Sequence, residues 1–219
     1  MHASAGRTLV IDSAGSIDAG TALSSHAETG SLTVTGGYSG AGIGGSQGED
    51  GGTITIYGGT VTANGTVAAG HHSAGAGIGG GGRNASNGGA DGGDIGTILI
   101  AGGVVNANGG GSTSAETGEG AAGIGGGYGG SGGNITISDG TVAATGWDNG
   151  SGIGGGCQAG GGTISINSPT GTSHGMAAAR RNGTDNYGSS VGPGYKGSGG
   201  SFSGPNGETS WPGGTSYSW

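Results

Sequence analysis

The chain is constrained first by a phrase that repeats. "AGIGGSQGEDGGTITIYGGTVTANG" begins at Ala41, and "AGIGGGGRNASNGGADGGDIGTILIAGGVVNANG" begins at Ala76. "AAGIGGGYGGSGGNITISDGTVAATG" begins at Ala121, "SGIGGGCQAGGGTISI" at Ser151, and a worn copy, "SVGPGYKGSGGSFSG", at Ser190. The anchors Ile43, Ile78, Ile124, Ile153 and Val191 are separated by 35, 46, 29 and 38 residues. Self-similarity at a spacing of about 20–50 residues marks a stack of repeating units and outranks any local reading.

One unit reads as three short sides. "TITI" alternates with period two, which puts Ile54 and Ile56 on one face and Thr53 and Thr55 on the other. A Gly-Gly break follows, and "TVTA" alternates again, with Val61 and Ala63 inward. A two-glycine break could close a hairpin, but isolated hairpins would bury too little; in a coil each strand pairs with its copy in the next. The third side is "AGIGG", where Ile points inward and the flanking glycines permit positive φ and close backbone approach.

Three inward ranks follow. One is Ile43, Ile78, Ile124, Ile153 and Val191. A second is Ile54/Ile56, Ile98/Ile100, Ile135/Ile137, Ile164/Ile166 and then Phe202. The third is Leu32/Val34, Val61/Ala63, Val105/Ala107, Val142/Ala144 and then Met176/Ala178. The expected fold is all-β: a right-handed parallel β-helix of about five to six coils, the hand following from the preference of parallel crossovers. Residues 1–30 are expected to form an N-terminal cap or irregular coil, 31–204 the solenoid, and 205–219 a C-terminal cap or tail. A sandwich of polyglycine-II helices is the alternative for runs such as "GGGYGGSGG", but the "TITI" and "TILI" segments do not suit it.

Composition agrees with a thin, repeated core. Glycine accounts for 66 of 219 residues, yet there is no G-X-Y period and only 4 prolines, which excludes collagen. Only 8% of residues are charged and the net charge is −8, with 5 Lys+Arg, so neither nucleic acid nor an anionic membrane is an expected partner. No apolar run reaches membrane-spanning length, no signal segment is visible, and the sole cysteine, Cys157, reads as a small apolar residue.

"GAGIGG…GGTITIYGGTVTANG" resembles the glycine-rich repeats of bacterial secreted and cell-surface proteins. Their architecture is similar to the pectate-lyase-like β-helix, which includes a carbohydrate-binding group. The resemblance runs roughly from Leu32 to Gly204. It implies an extracellular or cell-surface location and a polysaccharide or host glycan as partner. The acidic motifs that such lyases use for calcium and catalysis are not recognisable as a set.

In a solenoid, the variable loops collect on particular edges and often form the binding face. The loops after the "TVTA" strands are the richer ones. They present Tyr38, then His71 and His72, then Glu116 and Glu119, then Trp147 and Asp148, then Arg180, Arg181, Asp185 and Tyr187. Aromatic faces beside carboxylates and guanidinium groups suit sugars, whose C–H faces stack on rings while the hydroxyls take polar partners. The expected ligand-binding set is therefore Tyr38, His71, His72, Trp147, Asp148, Arg180, Arg181 and Tyr187. This favours a non-catalytic adhesin or carbohydrate-binding module.

Two other functions are open: a structural stalk, and a polysaccharide-active enzyme on the same edge. For the enzyme, Glu116, Glu119 and Asp148 would be the acid/base candidates, since adjacent coils lie ~4.8 Å apart and retaining glycosidases hold carboxylates at ~5–5.5 Å. No cofactor is expected beyond a structural Ca²⁺, for which Asp50 and Asp91 occupy comparable corners of neighbouring coils. Adjacent His71 and His72 would point to opposite sides if extended, so a shared zinc is not expected. Outward threonines such as Thr53, Thr55 and Thr136 could line a flat face, but Leu99, Asn106 and Ala143 interrupt the ranks.

Overall fold

The computed structural model describes residues 1–2, 6–12, 30–66, 73–83, 91–111, 119–147, 149–167, 174–180, 188–210, 212 and 216–219. They form a right-handed parallel β-helix, and the described elements are all strands. Three walls wind around one narrow core.

The first wall stacks β1 (Thr8–Ile11), β4 (Gly51–Ile56), the first half of β7 (Ile95–Asn108), the first half of β9 (Asn134–Trp147), β11 (Thr163–Ile166) and β14 (Ser201–Ser203). Its register is the one read from the repeats: Ile54 lies opposite Ile98, Ile98 opposite Ile135, Ile135 opposite Ile164, and Ile164 opposite Phe202. β1 adds one more rung, with Leu9 opposite Ile54 and Ile11 opposite Ile56. Thus a strand within the first 30 residues continues the same ladder.

The second wall stacks β2 (Ser31–Thr35), β5 (Thr60–Asn64), the second halves of β7 and β9, and β12 (His174–Arg180). Leu32 faces Val61, Val61 faces Val105, and Val105 faces Val142. The last rung differs from expectation. Val142 lies opposite Gly175 and Ala144 opposite Ala177, so Met176 pairs with Ala143, an outward position. A slip of one residue exchanges the two faces of a strand. Trp219 packs its indole against the core nearby. β12 also pairs antiparallel with β15 (Ser216–Ser218), which covers the C-terminal edge of this wall.

The third wall is built from two-residue strands: β3 (Ile43–Gly44), β6 (Ile78–Gly79), β8 (Ile124–Gly125), β10 (Ile153–Gly154) and β13 (Val191–Gly192). They pair in parallel, Ile on Ile and Gly on Gly. The anchoring residues Ile43, Ile78, Ile124, Ile153 and Val191 are all fully buried. The glycine beside each anchor is obligatory. Gly79 and Gly125 have φ of +142° and +138°, and a Cβ on either would overlap the carbonyl oxygen of its counterpart in the next coil. The polyglycine runs thus take part in the β-helix itself, not in a separate polyglycine sandwich.

Candidate functional site

The corner loops hold most of the side-chain diversity, and the structure joins two sets that the sequence shows as separate. Loops entering the third wall and loops leaving it meet on its outer side. The amides of Gly82, Tyr128, Cys157 and Tyr195, all just past the wall, donate to the carbonyls of Ser39, Ala74, Gly120 and Asn149, all just before it. Each bond links one coil to the loop entering the preceding one. The result is an outer layer over the shortest strands.

One polar cluster sits inside this layer. The Arg83 guanidinium lies 3.8 Å from a Glu119 carboxylate oxygen and 5.0 Å from the centre of the Tyr128 ring. Tyr128 is only 5% exposed. Burial, and then the Glu119 charge, push its hydroxyl above the ordinary value of 10.0. Glu119, expected as an acid/base candidate, is thus engaged with a cation and mostly enclosed. Arg83 and Tyr128 are not among the residues expected from the sequence, because neither sits in the richer loop set.

The expected ligand-binding residues are dispersed. Tyr38 is 58% exposed. It borders a cleft of about 430 Å³ with Met1, His2, Ala41, Ser46 and Gln47. Trp147 is half-buried at the end of β9, packed so closely over Gly111 that any Cβ there would overlap the indole. Arg180 ends β12, opposite Trp147 in register. His71, His72, Glu116, Asp148, Arg181 and Tyr187 lie outside the described residues. Of the expected set, then, Trp147 and Arg180 are brought to adjacent coils, whereas Tyr38 stands apart at the cleft.

The acidic corner also links coils. The Asp50 carboxylate accepts the Asp94 amide at 2.9 Å, and the Asp94 carboxylate accepts the Ser131 amide at 2.6 Å. Each carboxylate therefore ties its coil to the next. Asp91 packs against Gly129 of the following coil. Among the described residues, no three His, Cys, Asp or Glu side chains gather as a set able to hold a metal ion.

Residues 54–82 and 135–157 match the beta helix repeat. The first segment runs from the end of β4 through β6, close to one full coil, and the second runs from β9 to the corner beyond β10. The match falls on the ladders and bends that build the solenoid. No curated protein and no solved structure is matched.

Proposed function

We propose that this solenoid is an extracellular or cell-surface module that binds a polysaccharide or host glycan through its corner loops. The observation that carries the reading is the Tyr38 ring, 58% exposed beside the 430 Å³ cleft, whereas Tyr128 at the same wall is buried. Concave sites lined by a ring and a few polar groups are the usual form of small-molecule recognition. Ser46 and Gln47 supply polar groups there, and the charge is low enough to admit a neutral sugar. Trp147 and Arg180 on adjacent coils form a second place where a longer glycan could touch the loop layer.

A structural stalk is the competing reading. It is favoured by the Arg83–Glu119–Tyr128 cluster, which directs loop side chains into the molecule, where they hold coils together. A glycan and polysaccharide binding screen separates the two, run with and without Ca²⁺ and alongside Tyr38→Ala and Trp147→Ala. The binding reading expects ligands that Tyr38→Ala weakens by at least about tenfold, the cost of a lost aromatic anchor. Binding to none of the glycans would overturn the binding reading and favour the stalk.

A further inference from the structure

We propose that the cleft beside Tyr38 carries a serine nucleophile, Ser46, able to hydrolyse short-chain carboxylic esters with His2 as general base. The inference goes beyond glycan binding and holds whether or not the cleft takes a sugar.

Three side chains from two segments converge there. Met1 and His2 lie on the edge of the third wall, where His2 bridges Gly44 in parallel and the Gly44 amide donates to the Met1 carbonyl. This places the imidazole over the turn that follows β3. The Ser46 hydroxyl is 2.8 Å from His2 Nδ1, and a Glu49 carboxylate oxygen is 3.4 Å from His2 Nε2. In the tautomer with its proton on Nε2, facing the carboxylate, Nδ1 accepts the Ser46 proton. Nucleophile, base and orienting carboxylate thus stand in the order that activates a serine, an arrangement recognised by geometry and not by fold. Ser46 to Glu49 is a tight turn, closed by the Glu49 amide donating to the Ser46 carbonyl at 2.9 Å with Gly48 at φ +74°.

The second observation concerns backbone donors. At the position of Ser46, the later coils have Gly81, Gly127, Gly156 and Gly194, whose amides donate to Glu49, Gly93, Gly130 and Ala159 of the preceding coil. At the position of Gln47, the later coils have Gly82, Tyr128, Cys157 and Tyr195, whose amides donate to the preceding entry loops. Ser46 and Gln47 belong to the first coil of this wall, and neither amide has an acceptor among the described residues. Two adjacent N–H groups, on the nucleophile and on the residue after it, therefore edge the cleft. This is the donor arrangement that stabilises an acyl-transfer oxyanion.

The chemistry balances without a cofactor. Ser46 Oγ bonds to the ester carbonyl carbon as its proton passes to His2 Nδ1. The oxyanion sits against the two amides. The carbon–alkoxy bond then breaks, and the alcohol leaves with the proton from His2. Water attacks the acyl-Ser46 ester, His2 takes its proton and returns it to Ser46 Oγ, and a carboxylic acid is released.

The test uses p-nitrophenyl acetate and a fluorophosphonate probe on the whole chain, with the modified residue mapped by mass spectrometry. The expected result is an adduct on Ser46 and hydrolysis that falls at least about tenfold in Ser46→Ala and in His2→Ala, the lower end of what general-base catalysis supplies being higher still. Glu49→Gln should reduce the rate less and shift its pH profile. All three side chains are largely exposed, so these variants keep the fold. An adduct elsewhere, no adduct, or wild-type hydrolysis in Ser46→Ala overturns the inference. A failed glycan screen together with a Ser46 adduct would remove the binding proposal and leave this one standing.

Discussion

Two walls of the same coil are held by opposite means. In the first wall, β-branched side chains stack in ranks, and Ile54, Ile98, Ile135 and Ile164 are all essentially inaccessible to water. In the third wall each strand is two residues long and the contact between coils is backbone on backbone, Gly44 on Gly79 on Gly125 on Gly154. The first wall gains from area removed from water. The third gains from close approach, which any side chain at the glycine positions would prevent. The difference predicts how the two walls respond to the loss or gain of side-chain carbon.

The largest effect should come from Gly125→Ala. The residue has φ +138° and a new methyl would overlap the Gly154 carbonyl oxygen, so both backbone strain and steric exclusion act. A loss of about 4 kcal/mol or more is expected, at the exceptional end of point substitutions, and would appear as a large drop in the urea midpoint. Next comes Ile135→Ala, which deletes three buried carbons from the first wall. It should cost about 2–5 kcal/mol by the same assay.

Arg83→Ala should be milder, about 1.5–3 kcal/mol. It removes a charge-assisted contact and leaves the Glu119 carboxylate partly enclosed without its cation. A value near zero in chemical denaturation would show that the loop layer does not brace the third wall. Tyr128 adds a pH signature. Its folded-state value lies above the unfolded one, so its contribution is complete below about pH 10 and is lost as pH rises through the folded value. Denaturation midpoints should fall above pH 10, and Tyr128→Phe should flatten that fall. The smallest effect belongs to an outward position of the first wall: Thr136→Ala should change stability by no more than about 0.5 kcal/mol.

The ranks of the first and third walls were legible in the sequence because period-two alternation and a repeat of "GIGG" leave one register that buries the ranks from Ile54 to Ile164 and from Ile43 to Ile153. The final rung of the second wall was not. "HGMAAAR" holds apolar residues at both parities, so alternation cannot choose between Met176/Ala178 and Gly175/Ala177; pairing with β9 and with β15 decides it. The site was only partly legible for a similar reason. Tyr38 was visible as an aromatic in a variable loop. Arg83 and Tyr128 were not, because their partnership crosses coils and joins two loop sets that lie far apart in the chain. Likewise, nothing in the sequence brings His2 to Ser46; that contact depends on Met1–His2 pairing along the edge of β3.

The glycine-built wall is tested most directly by comparing Gly125→Ala with Gly37→Ala in equilibrium urea unfolding. Gly37 also lies in a glycine-rich corner, but a Cβ there would meet nothing within 4 Å. Alanine at Gly37 should leave stability unchanged or raise it slightly, by up to about 1 kcal/mol, through a less flexible unfolded chain. Alanine at Gly125 should lower it by several times that amount. Equal midpoints for the two variants would contradict the claim that coil-to-coil backbone contact, and not glycine content as such, holds the third wall together.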